Sequence, residues 1–502
     1  MTDSLTALKC RLADVHHLHT AAAVLDWDQQ TYMPPGGVEA RAEQKAVLSR
    51  LAHTLFTADE TGALLATSEE AVRGASPDND DGALLRVVRR DFDRAVRIPP
   101  TLVEEFTRVT ALAQEEWAKA RAANDYAAFA PWLERILDLE RRTAEAIGYA
   151  DRLYDALLDQ YEPGMTSRRL DEVFAELKRD LVPLARAIAE RAGSVDASLL
   201  HREYDEGTQR TFAEAVLKEC GFDFTRGRQD RSVHPFCTHF SQNDVRITTR
   251  YDRHFLPQAL FGSLHEMGHG LYEQGVAPAL EGTLLSNGTS LGVHESQSRL
   301  WENLVGRSRG FWRHYYPQLK RAFPSSLTEV SCEAFYRAIN RVAPSLIRVE
   351  ADEVIYNLHI ILRYELENEL LEGKLTVADA PAAWNARMTE MIGLTPPDDR
   401  RGILQDVHWS IGIMGYFPTY SLGNVLSVQL FDAAVAAAPS IPGDIESGRF
   451  DTLLSWLREH VHRHGRKYLP EELIKQATGV GLTVQPYVRY LKQKFGDIYG
   501  LT

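Results

Sequence analysis

Residues 257–278 read PQALFGSLHEMGHGLYEQGVAP, and the spacing within this stretch predicts a helix. Pro257 suits a first turn, where its missing N–H costs nothing. Leu260, Phe261, Leu264, Met267 and Leu271 recur three and four residues apart and form an apolar stripe. Gly275 and Pro278 mark the end. His265, His269 and Tyr272 fall on a neighbouring stripe. The HEMGH pattern therefore sets two imidazoles one turn apart on one helical face. Both can reach a single divalent cation, usually zinc, while Glu266 beside them reaches the attacking water. The chemistry implied is metal-dependent peptide hydrolysis. The plain structural alternative is a buried helix with two hydrogen-bonded histidines. Gly268 is out of place on propensity, since glycine inside a helix costs about 1 kcal/mol relative to alanine. A close approach by another backbone or by substrate would account for it.

A catalytic zinc takes three protein ligands and keeps an open position. The third ligand is expected on a second helix. After a loop rich in turn residues (Gly282, Ser286, Asn287, Gly288), residues 292–306 read GVHESQSRLWENLVG. Val293, Leu300, Trp301 and Leu304 give this segment an apolar face, and Gly306 can end it. Glu295 and Glu302, one heptad apart, are the competing candidates. A solvated face is the ordinary alternative for helical acids.

The rest of the chain sets the frame. Its 502 residues can bury a large core, with 44% hydrophobic and 25% charged residues. The formal net charge of −14 argues against nucleic acid or an anionic membrane surface as partner. Cys10, Cys220, Cys237 and Cys332 are scattered without a CxxC pair, which suggests reduced thiols and a cytoplasmic setting. Cys237 lies within HPFCTHF, a placement near the site, but a buried free thiol is the preferred reading. The first twenty residues read as an amphipathic helix rather than a leader peptide. No apolar run is long enough for a membrane span.

Helical periodicity dominates. Residues 101–122, 168–193, 353–373 and 451–465 all carry it, the second ending at a glycine. The clearest strand signal is NDVRITTRY at 243–251, where Val245, Ile247 and Thr249 alternate with Arg246, Thr248 and Arg250. A small sheet beside the HEMGH helix is the natural placement. TSEEAVRGASPDNDDG at 67–82 is the best candidate for a flexible loop. DAAVAAAPSIPG reads as a helix end and a loop. With no linker in view, residues 1–502 are expected to form one large helical domain, with two lobes as a variant.

Peptide hydrolysis also needs oxyanion donors, and an exopeptidase needs a cation for the substrate terminus, a task that suits arginine's planar fork. Three segments offer candidates. VHPFCTHF with NDVRITTR supplies His234, Asp244 and Arg246. IRVEADEVIYNLH supplies Arg348 and Asp352, spaced as an i, i+4 helical pair. GILQDVHWSIGIMGYFPTYSLGN supplies Gln405, Asp406, His408, Trp409, Tyr416 and Tyr420 among glycines. The plain alternatives are a solvated strand face, a surface ion pair and a packed loop.

Taken in order, HPF at 234–236, DVRIT at 244–248, HEMGH at 265–269, HESQ at 294–297, IRVEAD at 347–352 and GILQDVHW at 402–409 resemble the motifs of the M32 metallocarboxypeptidases. WDQQTYMPPGG at 27–37 and YSLGN at 420–424 are also similar to family stretches, so the likeness spans nearly the whole chain. The resemblance implies an almost wholly α-helical, saddle-like fold with a deep groove, similar to neurolysin and angiotensin-converting enzyme, its small sheet antiparallel. It implies a homodimer, one zinc or cobalt ion per chain, and removal of single residues from peptide C-termini with broad preference. It assigns His265, His269 and Glu295 as metal ligands, Glu266 as general base and Arg348 as the anchor of the substrate carboxylate. His234, Arg246, His408 and Tyr420 match further active-site positions. His408 or Tyr420 is expected to hold the oxyanion. A dipeptidyl carboxypeptidase or oligopeptidase with the same metal site is the nearest rival. A non-catalytic peptide-binding scaffold is the rival from another class.

Overall fold

The computed structural model of the protein describes residues 3–501 except 75 and 77. It is predominantly α-helical, with a single three-stranded sheet among the described residues. The backbone forms two compact units. One gathers the segments up to Val96, Ala197–Ile339 and Gln429–Gly481; the other gathers Arg97–Asp196, Asn340–Val428 and the chain from Leu482.

In the first unit the long helix Asp3–Thr31 buries Leu5, Leu8 and Leu12 against Leu65, Leu84, Leu85 and Val88 of the two helices Asp59–Ala71 and Asp80–Arg97. The segment expected to be a loop at 67–82 is helical at both ends, up to Ala71 and from Asp80, and the described residues between them are turn or irregular. Ser68 is buried and Glu69 is held by a paired Arg89 fork at 2.9 and 2.8 Å, so the helix runs on through Ala71. Residues 75 and 77 of that expected loop lie outside the described residues.

The sheet comprises β1 (Gly227–Arg231), β2 (Cys237–Ser241) and β3 (Asp244–Thr249), in the order β1-β3-β2. It is mixed, not purely antiparallel: β2 pairs antiparallel to β3, but β1 pairs parallel, with Gly227 opposite Val245. The reversal between β2 and β3 is a tight hairpin that inserts β3 beside a strand already laid down. β1 was invisible to pattern reading because GRQDR has no alternation. Val245 and Ile247 are buried as expected, but so is Thr248. The loop between β1 and β2 covers it: Phe236 N–H donates to Thr248 Oγ1 at 2.9 Å, and the Ser232 hydroxyl lies 2.7 Å from the same oxygen.

The HEMGH helix spans Leu256–Gly275, with Pro257 in its first turn, and is buried along most of its length. Thr249 Oγ1 donates to Ala259 O at 3.2 Å, fixing β3 to this helix. At Gly270 an added Cβ would stand 3.3 Å from Ile247 Cγ2 and 2.8 Å from Phe222. Gly268 is the tighter position: a Cβ there would meet Gln297 O at 2.5 Å and Ser298 Cα at 2.6 Å. The glycine is therefore explained by the helix Leu291–Arg299 pressing its backbone onto this face. Because rigid backbone is what would have to move, Gly268→Ala is expected to destabilise by about 1–3 kcal/mol, the usual cost of overpacking, despite alanine's better helix propensity. Denaturant unfolding of the two proteins measures it.

In the second unit the helix Tyr356–Leu371 is buried on nearly every face, the mark of a central helix. Around it lie Tyr126–Ile147, Ser167–Ala189 and Ala380–Ile392. The helix Ser167–Ala189 stops four residues short of the expected glycine at 193. No helix among the described residues is long and apolar enough to cross a membrane. All four cysteines are unpaired; Cys237 is half-buried.

Candidate metal centre

Two constellations of polar side chains stand out, one in each unit. In the first unit, His265 Nε2 and His269 Nε2 each lie 3.5 Å from Glu295 Oε2. These donor atoms fall within 4.8 Å of one another, and no other described group of His, Cys, Asp or Glu side chains converges in this way. Nitrogen and oxygen ligands bound tetrahedrally at 2.0–2.2 Å stand roughly 3.3–3.6 Å apart. The spacing and the two-nitrogen, one-oxygen donor set therefore fit a zinc-sized cation.

The opposite ring nitrogens are already engaged, which turns both Nε2 atoms inward. His265 Nδ1 pairs with Glu302 Oε2 at 2.9 Å. His269 Nδ1 lies 2.6 Å from His294 Nδ1, and His294 Nε2 lies 2.6 Å from Glu273 Oε1. Glu295 is fixed in turn: Arg299 Nε donates to Oε1 at 2.7 Å and the Ser298 hydroxyl to Oε2 at 2.9 Å. Arg299 and Arg307 both donate to Glu302. The helix carrying Glu295 does not run on regularly to Gly306. Leu300–Val305 is a π-turn, with Gly306 N–H donating five residues back to Trp301 O at 2.9 Å. Such turns recur at functional sites. Here the carboxylates of Glu295 and Glu302 end on opposite sides of the His265 ring.

Electrostatics separate the acids. Burial pushes Glu266 up to about 7, although the neighbouring His265 works against it. Glu302 is held at about 2: burial opposes this, but Arg299, His265 and Arg307 outweigh it. Glu295 is likewise held well below the usual carboxylate range against the cost of burial, by Arg299 and the two histidines. Burial lowers His269 to about 4.

His234 and Arg246 lie in the same unit. His234 is exposed in the loop covering Thr248, its carbonyl accepting from Ser232 Oγ at 2.7 Å. Arg246 on β3 forms a two-bonded pair with Asp244 at 2.8 and 2.9 Å. Its guanidinium lies between the rings of Trp27 (4.1 Å) and Phe240 (4.8 Å). The WDQQTY stretch thus packs on the sheet, with Trp27 against Arg246 of β3 and Tyr32 bonded to Asp230 of β1.

The second constellation lies in the other unit. Arg348 does not pair with Asp352, and the two do not share a helix. Asp352 accepts the N–H groups of Ala343, Val354 and Ile355 at 2.9–3.0 Å, capping the turn that leads into the central helix. Arg348, 5% exposed, instead donates through Nε and Nη2 to Asp406 Oδ1 at 2.9 and 2.8 Å, and through Nη1 to the Tyr356 hydroxyl at 2.9 Å. Gln405 accepts Arg348 N–H at 2.9 Å and donates to Leu346 O. The GILQDVHW segment is therefore the clamp that holds IRVEAD. His408 Nε2 lies 3.3 Å from the Tyr420 hydroxyl, and its ring lies against Phe417. Burial lowers His408 to about 3, so its imidazole is neutral. Tyr416 packs edge-on against Tyr420 and Tyr161.

Comparison with known proteins bears on the whole chain. The carboxypeptidase Taq (M32) metallopeptidase family matches residues 7–495. The chain belongs to the M32 family. It is a metallocarboxypeptidase, and a divalent metal is implied. Thermostable carboxypeptidase 1 of Thermus thermophilus is 42% identical over 96% of each chain. The M32 carboxypeptidase of Deinococcus radiodurans superposes with a TM-score of 0.96 at 44% identity, covering 100% of both chains. Trypanosoma cruzi metallocarboxypeptidase 1 gives 0.94 at 34% identity, covering 99% of this chain and 100% of its own.

In this M32 chain, His294, Glu273 and Arg363 are residues that sequence reading passed over. His294 is the first residue of HESQ, and its place beside Glu295 is the signal the sequence offers. Histidine ligands are commonly oriented by a carboxylate on the far ring nitrogen. His294→Ala and Glu302→Gln are each expected to weaken metal binding roughly 10–100-fold, with the fold intact. Competition with a metal-responsive dye measures both.

Proposed function

We propose that the protein releases single amino acids from peptide C-termini, with broad preference, using one zinc or cobalt ion. His265, His269 and Glu295 would hold the ion. When bound, it supplies a Lewis acid that polarises the scissile carbonyl and makes water acidic enough to attack near neutral pH. Glu266 takes the proton of the attacking water and passes it to the leaving amine. Its burial beside His265 and His269 supports this role, since a general base must lie within reach of the proton it takes. Neutral His408 with Tyr420 supplies donors to the oxyanion. Arg348 receives the substrate carboxylate, and His234 and Arg246 contribute substrate contacts. The whole chain acts as one catalytic domain, as a cytoplasmic homodimer.

The observation that carries this reading is the three-donor centre with the buried Glu266 beside it. A structural metal site would be closed by a fourth ligand and would need no base. Arg348→Ala is expected to lower kcat/KM for free-acid peptides by about 2–5 kcal/mol, roughly 30- to several-thousand-fold, mainly through KM. It should leave any slow cleavage of C-terminally amidated peptides unchanged. Equal effects on both substrates would favour the oligopeptidase reading.

A further inference from the structure

The central helix of the second unit carries Arg363, whose side chain is fully buried. Its Nε donates to Asp406 Oδ2 at 2.7 Å and its Nη2 lies 2.5 Å from the same oxygen, while Nη1 donates to His359 O at 2.7 Å. Asp406 is thus shared, with Oδ1 taken by Arg348 and Oδ2 by Arg363. Two guanidinium groups meet one carboxylate. Burial keeps His359 neutral, with Arg363 adding to the effect, and His408 is neutral for the same first reason. Glu367, one turn beyond Arg363, is pushed up to about 7 by burial and is mostly protonated below that pH. The cluster therefore holds one positive charge in excess. An isolated Arg348–Asp406 pair would be neutral, and an incoming carboxylate would have to compete with Asp406 for it. Buried charge of one sign is costly unless a partner arrives.

We infer that Arg363 is a positioning residue for the substrate's terminal carboxylate: it occupies the second oxygen of Asp406 and supplies the excess charge that the carboxylate neutralises. This rests on the reading of Arg348 as the anchor. At an effective dielectric near 20, a unit charge several ångströms away changes carboxylate affinity roughly 10–100-fold.

The test is equilibrium binding of N-acetylphenylalanine and of its amide to the metal-loaded protein at about pH 6.5, by calorimetry. The parent should prefer the acid, and Arg348→Ala should abolish that preference. Arg363→Met should weaken the acid roughly 10–100-fold and leave the amide unchanged. The double variant Arg363→Met/Asp406→Asn, which restores the single excess charge, should recover affinity to within a few-fold of the parent. If Arg348→Ala loses the preference but Arg363→Met keeps full affinity, the role of Arg363 is overturned and the anchor stands. A preference that survives Arg348→Ala overturns both. A double variant as weak as the single one overturns the charge argument. Should Arg363→Met fail to fold, Arg363→Lys decides: it keeps the charge and should bind the acid within a few-fold of the parent. A fall to the level of Arg348→Ala contradicts the inference.

Discussion

Glu266→Gln is expected to leave the metal bound and to lower kcat by roughly 10²–10⁴-fold, the range for loss of a general base. Glutamine has nearly the volume of glutamate, so the packing around this 6%-exposed side chain is preserved. It brings no charge into a site where burial already disfavours one, so the melting temperature should not fall. What disappears is a buried carboxylate beside the histidines that burial pushes toward neutrality. Metal content by elemental analysis and turnover on one peptide together check the prediction. Wild-type turnover would mean that the proton is carried elsewhere. Loss of metal would mean that Glu266 has a coordinating role.

The second large effect is expected at the donor set. His269→Ala removes one of three donor atoms and also frees His294 from its partner at 2.6 Å. Metal affinity should fall by far more than the roughly 10–100-fold of an outer-shell change, and activity should fall with it. Chelation of the parent should mimic the variant. A ligand that binds only the folded chain stabilises by about 4 kcal/mol at a thousandfold excess over its dissociation constant. Removing the metal should therefore lower the melting temperature of the parent by several degrees. The His269→Ala protein should show no such dependence on added zinc or cobalt. A variant that still melts higher with metal would place the principal donors elsewhere.

How much of this was legible in the sequence differs by residue. The ends of the HEMGH helix were readable because apolar spacing, a first-turn proline and a closing glycine all agree. Gly268 announced a close approach, and the backbone at Gln297 and Ser298 supplies it. The competition between Glu295 and Glu302 was not decidable from spacing, because residues a heptad apart share a face of a regular helix. The π-turn at Leu300–Val305 breaks that regularity, and the two carboxylates face different nitrogens of His265.

Long-range pairing was the other blind spot. Arg348 and Asp352 looked like a helical pair, yet the partner of Arg348 is Asp406, 58 residues away. The reason is local: Asp352 is consumed in capping three backbone N–H groups, so it has little left to offer a guanidinium. Arg363 sat inside an apolar run, where a lone charge reads as the exposed edge of a helix. Only the packing shows that Arg363 is off that edge, which is formed by the half-buried Glu365 and Glu369. The strand β1 was missed for the opposite reason: GRQDR has polar residues throughout, and the partner β3 supplies the apolar face of the pair.

The central claim, a metal-dependent carboxypeptidase, is tested most directly by mass spectrometry of one peptide in two forms, free acid and C-terminal amide. The protein is first stripped of metal and then given zinc or cobalt. The account predicts stepwise loss of single residues from the acid form, only after metal is restored, with the amide form left intact. Equal cleavage of both forms at internal bonds, or cleavage by the metal-free protein, would contradict it.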